Sequence, residues 1–414
     1  MTSLIRFTSR LASPLRPLSV TSSVTMTPPS VSYHSTSTPL QSLTPCSTDG
    51  RGYKHGAIDV HTHCYLPRYM EMLRNRHPNV PYIIPGATPS HDERYVILPG
   101  EDKDKTSAVG RPIGEEYFSI AEKIRYMDRH GIDVSVLSLA NPWLDFLPRG
   151  EAVHMATLLN DDLQEISEES AGRIYGFGVL PTQDVIASCK EVERMAAATT
   201  KVRGVILGTS GAGKGLDDPA LDPLYETLAK HNMPIFLHPH YGLGNEHYAN
   251  TGHSLFLALG FPFETTMAVS RLILSGCFDR HPNLKMLLAH AGGTLPFLSG
   301  RLDSCVEHDH EMCDKLLQKP SDYMKSNFYY DSVIYHTPAL KSVIEMVGED
   351  KLMFGTDNPF FPPPGEGARS GAEWISTSKN MDAIDGLKDA KVSDDIIWRN
   401  ASNVLGIEVP EIIR

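Results

Sequence analysis

Cysteine and tryptophan are scarce, with six and three residues among 414. The cysteines, Cys46, Cys64, Cys189, Cys277, Cys305 and Cys313, form no Cys-x-x-Cys pair. That argues against a disulfide framework and suits reduced thiols inside a cell. Basic residues are outnumbered, 38 Lys and Arg against 50 Asp and Glu, for a formal net charge of -12. The resulting field repels phosphate backbones and anionic membrane surfaces, so no nucleic acid and no membrane partner is expected. No stretch approaches the roughly 18 uninterrupted apolar residues of a membrane helix, and a soluble protein is expected. Asp and Glu are absent from residues 1–48, which carry Arg6, Arg10 and Arg16 among many Ser, Thr and Pro. This composition fits a mitochondrial transit segment, a disordered tail, or a start placed too early with Met26 as the real one. Residues 1–54 are therefore set apart as an extension. The expected location is the cytosol, or mitochondria if the segment is a transit peptide.

What remains, residues 55–414, alternates short apolar runs with stretches of helical period. Eight runs are read as strands: Ala57 to His61, Asp133 to Leu139, Ile174 to Leu180, Gly204 to Gly208, Pro234 to His238, Leu284 to His290, Phe328 to Asp331, and Leu352 to Asp357. Between two of them, Val185, Ile186, Cys189, Val192, Met195 and Ala196 recur every three or four residues and predict an amphipathic helix over 182–198. A second predicted helix, with Ile120, Ile124 and Met127 on its apolar face, stops at Gly131. Eightfold strand-helix alternation predicts an α/β fold, a (β/α)8 barrel of TIM type, with a doubly wound open sheet as the alternative. In a barrel, reactive groups gather at the carboxyl ends of the strands.

The stretch GTSGAGKG, residues 208–215, resembles a phosphate-binding loop but ends in Gly215 where a Ser or Thr is needed to hold magnesium. No nucleotide is expected there. The glycines are instead expected to let the backbone approach a substrate at the barrel mouth.

The strand ends themselves are rich in metal-ligating side chains. His61 and His63 lie two apart in DVHTH and share a strand face. HPH places His238 and His240 after another strand, His290 ends a third, and Asp357 ends the last. Imidazole and carboxylate are zinc ligands, and a catalytic zinc keeps a position open. His61, His63, His238 and Asp357 are therefore expected to bind one divalent metal, Zn2+ or alternatively Mn2+, without an organic cofactor. No Lys or Glu ends the fourth strand to bridge a second ion. His290 is left as an acid/base group and His240 as a structural residue. His308 and His310, among acidic residues, are expected on the solvated surface.

With DVHTH, FLHPH, LLAHAGGTLPF and FGTDNPF, the chain resembles the amidohydrolase superfamily from about Ile58 to Leu405, and within it the decarboxylase branch typified by aminocarboxymuconate-semialdehyde decarboxylase. The less generic stretches VSVLSLANPWLDFL, GVILGTSGAGKGLDDP, FLHPHYGLGNE, LALGFPFETT and LMFGTDNPFFPPP are similar to its pyrimidine-carboxylate decarboxylases. The resemblance implies a metal-dependent, non-oxidative carboxy-lyase that converts uracil-5-carboxylate to uracil and carbon dioxide, as a homodimer or higher homo-oligomer. It implies the same four metal ligands, makes Asp357 and His290 catalytic, and places Arg111, Asn141, Phe261 and Phe360 around the substrate. Asn141 is expected to pair donor and acceptor edges of the ring, with the two Phe on its faces. The alternatives are a decarboxylase of a benzoate-type or aminocarboxymuconate-semialdehyde acid, a hydrolase of a cyclic amide or lactone, and a non-enzymatic binding protein.

Overall fold

The computed structural model describes residues 56–408, apart from 87, 89–91, 98–109, 199–200, 249, 253 and 364–371. The extension expected at residues 1–54 lies outside the described residues. Eight parallel strands follow one another in a single sheet: β1 (Ala57–His63), β5 (Ile132–Ser138), β6 (Ile174–Gly178), β7 (Val202–Gly208), β8 (Ile235–His238), β9 (Met286–Leu288), β10 (Phe328–Asp331) and β11 (Leu352–Met353). Each overlaps one of the eight predicted runs. The first two are buried at every position, which explains why such strands read as continuous apolar runs rather than as alternating ones.

The first and last strands meet. Val60 N donates to Phe354 O at 2.9 Å, Asp357 N to His61 O at 2.7 Å and His63 N to Asn358 O at 2.8 Å. Thr62 and Asn358 form a parallel bridge. Behind this seam the buried ammonium of Lys123 donates to Thr62 Oγ1 at 2.7 Å and to the Asn358 side-chain oxygen. The sheet is thereby closed into the expected barrel, and the open-sheet alternative is set aside.

Helices lie between the strands. Ile120–His130 is capped by Ser119 Oγ, which accepts from Glu122 N at 3.3 Å, and stops at Gly131 with a left-handed φ of 66°. The other predicted helix spans Val185–Ala197, but its buried face differs from the expected one. Ile186 is 67% exposed, whereas Glu191 is buried, accepting from Asn160 Nδ2 and Arg194 Nη2 at 2.7 Å each. Paired polar groups have replaced part of the apolar stripe.

Two features were not predicted. A small antiparallel sheet, β2 (Tyr82–Ile84), β3 (Glu93–Val96) and β4 (Arg111–Ile113), follows β1 in the chain. In addition, the helical stretch Phe256–Leu274 is long and apolar enough to cross a membrane by length and composition alone. It packs Val269, Leu272 and Ile273 inward while Phe263 and Met267 remain exposed.

Candidate active site

The carboxyl ends of β1, β8, β9 and β11 bring His61, His63, His238, His290 and Asp357 together. One ligand atom each from His61, His238, His290 and Asp357 lies within 4.8 Å of the others. His63 joins them, its Nε2 lying 3.1 Å from His61 Nε2 and 3.4 Å from Asp357 Oδ1. The cluster therefore contains every residue of the expected metal set and admits His290 as well. His240 is not in it: its ring contacts Ser210 at 3.2 Å and Asp145 at 3.4 Å.

Hydrogen bonds behind the cluster fix how the imidazoles face it. His61 Nδ1 donates to Asp331 Oδ2 at 2.5 Å, a carboxylate that can only accept. His238 Nδ1 donates to Pro239 O at 2.8 Å. Ser138 Oγ donates to Thr62 O at 3.1 Å, so it accepts from His63 Nδ1 at 2.9 Å. All three rings thus turn an Nε2 lone pair inward. Facing lone pairs repel unless a cation lies between them, and His238 Nε2 is buried without a hydrogen-bond partner. Burial opposes a charged His61, yet Asp357 and Asp331 outweigh it and push its pKa up to about 10, while burial holds His63 down at about 4. The pull of Asp357 and Asp331 on positive charge at His61 is one that a divalent cation would answer, and His63 and His238, which burial keeps neutral, offer it imidazole lone pairs beside the Asp357 carboxylate.

Two candidate catalytic residues adopt a backbone conformation uncommon outside glycine: His290 at φ 55° and Asp357 at φ 59°. Asp331 supports this geometry. Its oxygens accept from His290 N and Ala291 N at 2.9 Å each and from Val333 N at 3.0 Å, in addition to His61. Sequence reading passed over Asp331, although it ends a predicted strand just as Asp357 does. Ser138 was missed for a different reason: a serine at a strand end carries no signal until its neighbour is known.

A cavity of about 550 Å³ opens above the cluster. Arg111, Asn141, Phe261 and Phe360 all line it, as do His290 and Asp357. Arg111 reaches it from β4, the guanidinium 5.9 Å from the Phe360 ring centroid. Phe360 packs edge-on against His63 and Phe261 lies parallel to His290, so neither is simply core. Asn141 is more constrained than expected. One Nδ2 hydrogen is donated to His240 O at 2.7 Å, which fixes the amide and leaves Oδ1 and the second N–H to read a ligand. Glu264 holds that stretch of backbone, accepting from His240 N at 2.9 Å and Gly242 N at 2.8 Å.

The glycine-rich loop has another role. None of residues 208–215 lines the cavity; Gly208, Ser210, Gly211 and Ala212 instead border a small crevice with Trp143 and His240. A Cβ at Gly208 would lie 2.5 Å from the Trp143 ring, so glycine there accommodates tryptophan rather than substrate. The next α-helix begins only at Asp222, so no helix N-terminus follows directly to cradle a phosphate.

The amidohydrolase family model matches residues 58–407. The chain belongs to the amidohydrolase family. It is similar to the isoorotate decarboxylase (IDCase) of Metarhizium anisopliae in its apo form, with a TM-score of 0.80 and 41% identity over 85% of this chain and 97% of that one. It is 32% identical to the 2-amino-3-carboxymuconate-6-semialdehyde decarboxylase of Dictyostelium discoideum, covering 59% of this chain and 67% of the relative. The dihydroxybenzoic acid decarboxylase of Polaromonas sp. JS666, solved with manganese and the inhibitor 2-nitroresorcinol, matches at a TM-score of 0.64 and 25% identity over 85% of this chain and 97% of that one. This amidohydrolase is a decarboxylase with a metal site of His and Asp residues.

Proposed function

We propose that this amidohydrolase removes carbon dioxide from uracil-5-carboxylate to give uracil. The reading is carried by the cavity that joins Arg111, Asn141, Phe261 and Phe360 to His290 and Asp357. Asn141 offers an acceptor to a ring N–H, Arg111 a planar fork to an anionic or carbonyl oxygen, and the two Phe flat apolar surfaces to a planar ring. Similarity to an isoorotate decarboxylase supports the same substrate.

Direct departure of carbon dioxide would leave an electron pair in the ring plane at C5. Protonation of C5 first avoids this: the C5–H bond forms, the bond to the carboxylate breaks, and its electron pair restores the ring double bond. A divalent cation held by His61, His63, His238 and Asp357, zinc by the donor set or manganese as in the Polaromonas relative, supplies Lewis acidity toward the carboxylate and the C4 oxygen when bound. Against the effect of burial, His61, His290 and His63 hold the Asp357 pKa well below the usual carboxylate range, so the proton that Asp357 passes to C5 is one it first receives from His290, whose Nε2 lies 3.5 Å from Asp357 Oδ2.

Metal-loaded protein incubated with uracil-5-carboxylate is expected to release uracil and carbon dioxide in equal amounts. A second reading, a benzoate-type acid, is favoured by the dihydroxybenzoic acid relative. If 2,6-dihydroxybenzoate is consumed while uracil-5-carboxylate is left intact, that second reading replaces the first.

The exposed Phe263 and Met267, together with Phe297 at 85% exposure on the helix Leu295–His308, support assembly as a homodimer or higher homo-oligomer. Light scattering is expected to give at least twice the chain mass. A monomer mass at micromolar concentration would refute it.

A further inference from the structure

Two kinds of group line the cavity for a planar ligand, the Asn141 amide for a polar edge and the Phe261 ring for a face. They come from different parts of the chain, Asn141 from the loop after β5 and Phe261 from the first turn of the helix Phe261–Leu274. A ring is held by both at once only if their spacing is kept, since a misplacement of about 1 Å forfeits much of what a positioned contact gives.

One carboxylate joins them. Glu264 stands on the same helix as Phe261 but is not among the residues lining the cavity. Its Oε2 accepts from His240 N at 2.9 Å and Gly242 N at 2.8 Å, and its Oε1 accepts from Ser210 Oγ at 3.4 Å. The direction of the last bond follows from the imidazole, because His240 Nδ1 lies 3.2 Å from both Ser210 O and Ser210 Oγ. A carbonyl only accepts, so Nδ1 carries the proton; the hydroxyl accepts from it and is left to donate to Glu264. His240 O in turn accepts from Asn141 Nδ2 at 2.7 Å. Phe261 is therefore linked to Asn141 through one side chain and one stretch of backbone, braced by the serine of the glycine-rich loop after β7. Bonds to a carboxylate are about twice as strong as neutral ones, which suits a group that fixes backbone without touching ligand.

We propose that Glu264 is a positioning residue for ring recognition, holding the Asn141 amide through His240 at a set distance from Phe261. This rests on the decarboxylase reading above and names what sets its cavity to a ring with a polar edge. Glu264→Asp keeps the charge and shortens the reach by a methylene. Its KM is expected to rise about 10-fold and inhibition by uracil to weaken as much, with kcat within about threefold of wild type because the candidate metal ligands and His290 are untouched. Glu264→Gln keeps the reach and an oxygen for both N–H groups, and is expected to recover KM to within about threefold. Asn141→Ala raises KM by itself, and adding Glu264→Asp to it is expected to cost less than about twofold more, since the group being positioned is gone. Losses that multiply in the double variant would overturn the proposal. So would a KM within about twofold of wild type in either Glu264→Asp or Asn141→Ala, or a Glu264→Gln variant as impaired as Glu264→Asp. A fall in melting temperature and kcat at unchanged KM would mark a purely structural carboxylate. Should Glu264→Asp fail to fold, Ser210→Ala removes only the shared hydroxyl and carries the same cycle, with an expected rise in KM of about fourfold judged by the same limit. Running the set on 2,6-dihydroxybenzoate as well keeps the two proposals separate. A wild type that consumes the benzoate and leaves uracil-5-carboxylate intact ends the pyrimidine reading, and the cycle is then judged on KM for the benzoate.

Discussion

Asp357→Asn is expected to retain fold and much of its metal while losing turnover by about 100- to 10,000-fold, the usual cost of removing a general acid. The carboxylate sits where two duties meet. Its Oδ1 lies 3.2 Å from His61 Nε2 and 3.4 Å from His63 Nε2, among the ligand atoms, while its Oδ2 faces His290 at 3.5 Å. Asparagine keeps an oxygen of similar position for the ligand duty but cannot carry a carboxylic proton to C5. Measuring kcat at saturating metal, with a comparison in deuterated water, separates the two. A metal-loaded variant that decarboxylates within a few-fold of wild type would place the proton elsewhere, with His290 the next residue to replace.

Replacing His61 and His63 together with alanine is expected to abolish both metal binding and activity. Two of the inward Nε2 lone pairs disappear, leaving His238, His290 and Asp357. The fold is expected to survive, because Asp331 still accepts from the backbone N–H groups of His290, Ala291 and Val333. Circular dichroism then reports the fold and elemental analysis the metal. Full occupancy in the double variant would sink the ligand assignment.

The barrel was legible because each strand is short, apolar and bounded by polar ends, a local pattern that needs no partner to be seen. The clustering of His61, His63, His238 and His290 was legible for the same reason, each standing at the end of such a run. Contacts made across the chain were not. Lys123 looks like any helix lysine, and only the seam between β1 and β11 makes it a buried donor. Glu264 gives no hint in a helix that it holds the backbone beside Asn141. The face of Val185–Ala197 was misjudged at Ile186 and Glu191 because a buried carboxylate is acceptable only once Asn160 and Arg194 are beside it. Arg111 was placed by resemblance alone, since the three-residue strand that carries it has no period to read.

The seam also ties metal binding to the order in which the chain becomes structured. Thr62 and Asn358 are 296 positions apart, and the candidate ligands beside them, His61 and His63 on one side and Asp357 on the other, converge only when the last strand docks on the first. Joining such distant segments is the slow, entropically opposed part of building a parallel barrel. A ribosome-bound chain still lacking its final strand carries the histidines but not the carboxylate that completes the set. An ion that binds the finished set and not the open chain draws the equilibrium toward the docked state in proportion to its free concentration. A cation held by His61, His63 and Asp357 would thus act as a clasp between the two ends of the barrel.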